Sequence, residues 1–285
     1  MPLQNLNIIG ESINDSVPST RSLFESGDLD SLRTLAQEQE RLGAVVIDVN
    51  IGTKTPEFMK DIATLVQDAV SIPLSIDSPD ITIAEAGLAA CDQKRGLPIL
   101  NSISPLRTEM FELYKRYPFR PVVLVSEGII DGQARACRTA DETYNVAKLM
   151  LNEAKRVGIP NDDMLFDLGI APIGSDGDGN IARLLKGMEM IHNDKEFRGV
   201  HFSVGLSNFT VMLPAKRKDG SAVKSDLESA FLTLAMPLGL DYVIGSVKRN
   251  YRILEADHQA LQCLNDCIKL GGFESITRVI QYYKS

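Results

Sequence analysis

The sequence is poor in several features that would mark common functional classes. It has four cysteines, Cys91, Cys137, Cys263 and Cys267, and they show no framework spacing, which argues against a disulfide scaffold. Cys263 and Cys267 fall four apart on an expected helix with no second His or Cys pair nearby, so they read as packing residues rather than zinc ligands. The three histidines, His192, His201 and His258, are scattered and offer neither a Ser-His-Asp nor a Cys-His arrangement; each reads as packed or solvated. Basic residues are the minority, 30 Lys and Arg against 38 Asp and Glu, for a net charge of −8. A nucleic-acid-binding protein usually shows a basic face, so that class is disfavoured. No apolar run approaches the roughly 20 residues that span a bilayer. The first twenty residues hold no basic stretch followed by an apolar one, so no signal peptide is visible and a reducing cytoplasm is the expected compartment. There is no Gly/Ser/Pro-rich linker and no internal repeat, which leaves a single domain over 1–285.

What is present is an alternation of short apolar runs and amphipathic segments. Strands are expected at "LNIIG" (6–10), "AVVIDV" (44–49), "PLSID" (73–77), "PILNS" (98–102), "RPVVLVSEG" (120–128), "MLFDLG" (164–169), "GVHFSVGLSN" (199–208) and "DYVIGS" (241–246). Helices are expected over 30–43, 56–70, 80–91, 107–117, 139–158, 181–192 and 225–239, with two more at the C-terminal end. Gly43 and Gly158 are placed as helix stops, and Thr139/Glu142 and Ser225/Glu228 as capping boxes. The strands are apolar on both faces, as parallel strands covered on both sides are. Eight βα units in about 250 residues is the size of a TIM (β/α)8 barrel. An open doubly wound sheet is the weaker choice, because no Gly-x-Gly-x-x-Gly follows the first strand.

In such a barrel the reacting groups lie at the C-terminal strand ends and on the loops after them. There the sequence puts Glu11 and Asn14 after strand one, Asp48 and Asn50 at the end of strand two, Asp77 at strand three, Asn101 at strand four, Asp167 at strand six and Asn208 after strand seven. Asp and Asn also cap helices and fill turns, and Asp77-Ser78-Pro79 fits turn chemistry alone. The strand-end motifs contain no Lys, Arg or His, which disfavours a phosphate site. Carboxylates with carboxamides suit a flat heterocycle carrying both donors and acceptors, such as a 2-amino-4-oxo-pyrimidine ring, whose ring N–H and exocyclic amine match one carboxylate. The same carboxylates could instead hold Mg²⁺.

"IIGESIN", "VIDVNIG", "LSIDSPD", "ILNSIS", "FDLGIAP" and "GLSNF" occur in the order of the pterin-binding TIM-barrel family. The chain resembles its methyltetrahydrofolate–corrinoid methyltransferases, including the tetrahydrofolate-linked components of corrinoid demethylase systems acting on glycine betaine or aryl methyl ethers. The resemblance implies that Asp77, Asn101 and Asp167 hold the pterin and that Asn208 sits by its N5 as the catalytic group. Ser207, Glu11, Asn14, Asp48 and Asn50 would complete or support the folate site. Where some members carry a Gln three residues after the strand-seven Asn, this chain has Val211. The resemblance further implies a homodimer, tetrahydrofolate or methyltetrahydrofolate as substrate, no metal bound by the chain itself, and a corrinoid arriving on a separate protein. No His here has the Asp-x-His-x-x-Gly setting of a cobalamin-binding loop. A dihydropteroate synthase-like activity is an alternative, but the Arg-x-His expected near strand eight is absent from "DYVIGSVKRN". A non-catalytic pterin- or corrinoid-partner-binding module is another. Asp176 and Asp178 in "GSDGDGN" have calcium-loop spacing without the later Glu, and read as a flexible loop. The basic stretch 214–224 reads as a solvated loop, or as a contact for the folate glutamate tail or an acidic partner.

Overall fold

The computed structural model describes residues 3–284; residues 1, 2 and 285 of the expected domain lie outside the described residues. Eight parallel strands close into a barrel, and in order around it they are Asn7–Asn14, Leu240–Gly245, His201–Gly205, Leu165–Asp167, Arg120–Leu124, Ile99–Ile103, Leu74–Asp77 and Ala44–Asn50. They are β1 (Asn7–Asn14), β2 (Ala44–Asn50), β3 (Leu74–Asp77), β4 (Ile99–Ile103), β5 (Arg120–Leu124), β8 (Leu165–Asp167), β9 (His201–Gly205) and β10 (Leu240–Gly245). Around them lie α1 (Pro18–Ser26), α2 (Leu29–Arg41), α3 (Pro56–Ala69), α4 (Ile81–Ala90), α5 (Ala140–Arg156), α6 (Asn180–Asn193), α8 (Lys224–Ala235), α9 (Gln259–Leu270) and α10 (Gly272–Lys284). The TIM-barrel expectation therefore holds. Among the described residues no helix is long and apolar enough to cross a membrane.

Local chemistry explains the elements. In α3 the Thr55 side chain accepts the Phe58 N–H and Pro56 takes the first turn, where its missing N–H costs nothing. The buried stripe Met59, Ile62, Ala63 and Val66 then faces the barrel. Thr139 caps α5 by accepting the Glu142 N–H. Cys137, Cys263 and Cys267 are buried and all four cysteines are free thiols.

The inside of the barrel is built in layers, and the layers position the site. Ile9, Val46, Ile99, Val122, Leu165 and Tyr242 form one apolar cluster, and the small, fully buried Ser75 and Ser203 fill the corresponding places on β3 and β9. Side chains on a strand repeat face every second residue. The next inward layer, two residues further along each strand, is Glu11, Asp48, Asp77, Asn101, Leu124, Asp167, Gly205 and Ile244, and all eight line one cavity at the C-terminal mouth.

Several boundaries depart from the sequence expectation. β1 does not stop at Gly10 but runs to Asn14, with a register shift against β2 between Gly10 and Ile13. Glu11 and Asn14 are thus strand residues. The expected helix 107–117 is a 3-10 helix over Thr108–Lys115. The expected strand 120–128 ends at Leu124, and a separate hairpin follows, β6 (Glu127–Ile130) with β7 (Gln133–Ala136). The seventh strand ends at Gly205, after which the chain turns into the short helix α7 (Leu206–Phe209). The Ser225/Glu228 capping box does not form: α8 starts at Lys224 and has no side-chain cap. Glu228 instead turns inward.

Candidate active site

The cavity has a volume of about 470 Å³, and its apolar walls are Val17, Leu124, Ile170 and Ile244. Its polar lining is carboxylate, carboxamide and hydroxyl, without Lys, Arg or His. On one side Ser75 Oγ donates to Asp48 Oδ1 at 2.6 Å, and Asn101 Nδ2 lies 3.4 Å from the same oxygen. Asn50 Nδ2 donates to Asp77 Oδ2 at 2.8 Å, while Asn50 Oδ1 accepts the Gly52 N–H. On the opposite side Asp167 Oδ1 accepts the Gly169 N–H at 2.7 Å. Gly169 has φ +67, and a Cβ there would lie 2.5 Å from Ser126 Oγ, so both conformation and space require glycine. The loop bearing it is anchored by the buried guanidinium of Arg183, which donates to the carbonyls of Leu168 and Gly169 at 3.0 Å and to Thr143 Oγ1 at 2.8 Å.

Burial with few compensating charges raises every carboxyl group of the cavity that responds. Asp48 is pushed well above the usual carboxylate range by burial, and the neighbouring Asp77 charge pushes it further. Asp77 is raised by burial, opposed by its bond from Asn50. Burial lifts Asp167 to about 6, against the pull of the Gly169 N–H and Arg183. Glu11 is also raised by burial, opposed by the Ser207 hydroxyl and by Arg249. A cavity of this kind lacks cationic donors, and a ring presenting N–H groups to its carboxyl groups relieves it.

Another wall is α7. Ser207 Oγ donates to Glu11 Oε2 at 2.8 Å. Asn208 lines the cavity, and its side-chain amide has no hydrogen-bond partner among the described residues. Gly205 makes room for it: a Cβ at that position would lie 2.8 Å from Asn208 Nδ2.

Eight of the nine sequence-derived site residues, Glu11, Asn14, Asp48, Asp77, Asn101, Asp167, Ser207 and Asn208, therefore meet around one cavity. Asn50 does not line it; it stands behind Asp77 and orients that carboxylate. Arg183 was missed, although an Arg on the apolar stripe of an amphipathic helix is a readable signal of a buried anchor. Asp176 accepts the N–H groups of Asn180 and Ile181 at 2.8 and 2.9 Å, so it tethers the start of α6 and the flexible-loop expectation is corrected there. The stretch 214–224 is not simply solvated: Lys216 bridges to Ala222, and Arg217 reaches Gln259 Oε1 and stacks 4.8 Å over the Tyr282 ring. Among the described residues no group of three or more His, Cys, Asp or Glu is arranged to hold a metal ion.

Comparison with known proteins agrees with this architecture. A family model described as "Pterin binding enzyme" matches residues 13–245, and the chain belongs to the pterin binding enzyme family. It is 28% identical over 242 residues to the methylcorrinoid:tetrahydrofolate methyltransferase of Eubacterium limosum, covering 83% of each chain. It is 23% identical over 297 aligned residues to methionine synthase of Mycobacterium leprae (strain TN), matching 97% of this chain but only 23% of that larger protein. Its fold matches a dihydropteroate synthase of Xanthomonas albilineans with 4-aminobenzoic acid, at a TM-score of 0.60 and 17% identity, covering 86% of this chain and 88% of that one.

Proposed function

We propose that the protein is a methyltransferase that moves a methyl group between N5 of tetrahydrofolate and the cobalt of a corrinoid carried by a separate protein. The observation that carries this reading is the convergence of Asp77, Asn101, Asp167 and Asn208 on one cavity without a cation in its lining. The 28% identity to a methylcorrinoid:tetrahydrofolate methyltransferase supports the choice of reaction. Asp167 and Asp77 accept the N–H groups of the pterin from opposite sides. Asn101, steadied by Asp48, serves an edge that carries both donors and acceptors. Asn50 holds Asp77 in place and Asn14 closes the rim.

Asn208 acts at N5. When the methyl carbon is displaced onto reduced cobalt, the N5–carbon bond breaks, the electron pair stays on nitrogen and a proton from solvent water must arrive there. A donor already aimed at N5 stabilises that charge as it develops. An amide with no protein partner is free to supply the hydrogen bond. In the reverse direction N5 attacks the cobalt-bound methyl carbon and its proton leaves to solvent water, with the Asn208 carbonyl oxygen accepting a hydrogen bond from the N–H as it acidifies. A dihydropteroate synthase-like reaction gains no support, since a diphosphate would meet four carboxyl groups and no cation. The same reading includes a homodimer, which sedimentation equilibrium checks.

The test is turnover of methyltetrahydrofolate with cob(I)alamin, followed by the change in cobalt absorbance. Multiple turnovers are expected. Tight folate binding with no transfer to free or protein-bound corrinoid would leave the non-catalytic module in its place.

A further inference from the structure

Helix α7 has only four residues, too few to hold a helical turn unaided. Both of its ends are tied by side chains on other elements. At the near end Ser207 Oγ donates to Glu11 Oε2. Just past the far end Thr210 Oγ1 donates to Glu228 Oε1 at 2.5 Å. Thr210 and Glu228 are each 1% exposed, so this bond is fully removed from water. The second oxygen of Glu228 lies 3.3 Å from Arg249 Nε, and the same guanidinium opposes the rise that burial imposes on the carboxyl groups of both Glu228 and Glu11. One arginine thus serves the carboxylates at both ends of the helix.

Asn208 lies between the two ties and has no side-chain bond of its own to the protein, so the direction of its amide follows from how α7 is held. Apolar packing fixes the place of the helix, since the rings of Phe209 and Phe231 meet at 5.3 Å. Leu206 and Phe209, both fully buried, set which face of the helix turns inward, and directional hydrogen bonds fix the finer angle at which Asn208 points. Burying the Glu228 carboxyl group beside Arg249 is expensive, and packing alone has no need of it.

We infer that Glu228, Thr210 and Arg249 are positioning residues that aim the Asn208 amide into the cavity. The inference rests on Asn208 acting at N5. Thr210→Val keeps the shape of the side chain and removes the tie. It should slow single-turnover methyl transfer about tenfold, the effect of losing one hydrogen bond to a charged group, and leave the folate Kd within about twofold. Thr210→Ser should restore the rate.

A merely structural role is separated by a double-mutant cycle. In an Asn208→Ala background Thr210→Val should cost nothing further, because there is no amide left to aim. Should Thr210→Val fail to fold, Glu228→Gln keeps an oxygen for Thr210, gives up the ion pair with Arg249, and carries the same cycle. An unchanged rate in the single variant, or an equal loss in both backgrounds, overturns the inference while Asn208 keeps its role. A wild-type transfer rate in Asn208→Ala itself would remove the role of Asn208 and this inference with it.

Discussion

Replacing Asp167 by Asn should make the free protein more stable and its folate complex weaker. In the folded chain burial lifts the carboxyl from 3.8 to about 6, and that figure already includes the help of Gly169 and Arg183. The unfolded chain loses its proton near 3.8. Between the two values the native state binds more protons, so stability falls as pH rises. At about 1.4 kcal/mol per pKa unit the total cost is about 3 kcal/mol by pH 7.5, with roughly half of it already present at pH 5. The amide oxygen of Asn can still accept the Gly169 N–H, so Asp167→Asn removes the charge and little else. Urea unfolding of both proteins at pH 5 and pH 7.5 should show a stability advantage for the variant that widens by about 1.5 kcal/mol over that interval. Isothermal calorimetry with tetrahydrofolate at pH 7.5 should show the opposite effect. Loss of a charge-assisted hydrogen bond of about 1.5–3 kcal/mol weakens binding by about ten- to a hundredfold. A stability gap that ignores pH, or an unchanged folate affinity, would refute the reasoning.

Gly205→Ala adds a Cβ 2.8 Å from Asn208 Nδ2 at a φ of −74, which alanine adopts without strain. Methyl transfer should fall by about tenfold or more as the donor is displaced, while the thermal midpoint stays close to that of the parent; an unchanged rate would mean the amide has another place to go. Arg183→Leu leaves the carbonyls of Leu168 and Gly169 without their donor, and denaturant unfolding should report a loss of about 2–4 kcal/mol. Treatment of the chain with a chelator should leave transfer from methyltetrahydrofolate to cob(I)alamin intact, because the cavity carboxylates are assigned to the pterin; loss of activity restored by Mg²⁺ would assign them to a metal instead.

The barrel was readable because parallel strands buried on both faces are nearly continuous apolar runs, and an Asp or Asn breaking such a run stands out. Asp48, Asp77, Asn101 and Asp167 are those breaks, and each lies two residues beyond an inward-facing side chain of the layer below. Asn208 was found for a different reason than its true position. In "GVHFSVGLSN" Leu206 follows Gly205 with no proline or acidic break, so the strand pattern extends into a segment that is helical. The hairpin after β5 was hidden in the same way, although Asp131-Gly132 marks its turn, with φ of +55 and +78. Ser225 and Glu228 have the spacing of a capping box, but Glu228 is drawn inward to Thr210 and Arg249, which lie 18 residues before it and 21 after it. Local spacing carries no information about such partners. The end of strand two names Asn50 as completing or supporting the site, and only the three-dimensional pairing with Asp77 shows which: it stands one step behind.

The central claim is that Asn208 works on the transition state rather than on binding. It is tested most directly by single-turnover transfer from methyltetrahydrofolate to cob(I)alamin with the parent and Asn208→Ala proteins, alongside the folate Kd of each. The predicted result is a transfer rate lower by about 10²–10³, as for loss of one preorganised donor, with a much smaller change in affinity. Rate and affinity falling in equal proportion would contradict the claim and make Asn208 a binding residue only.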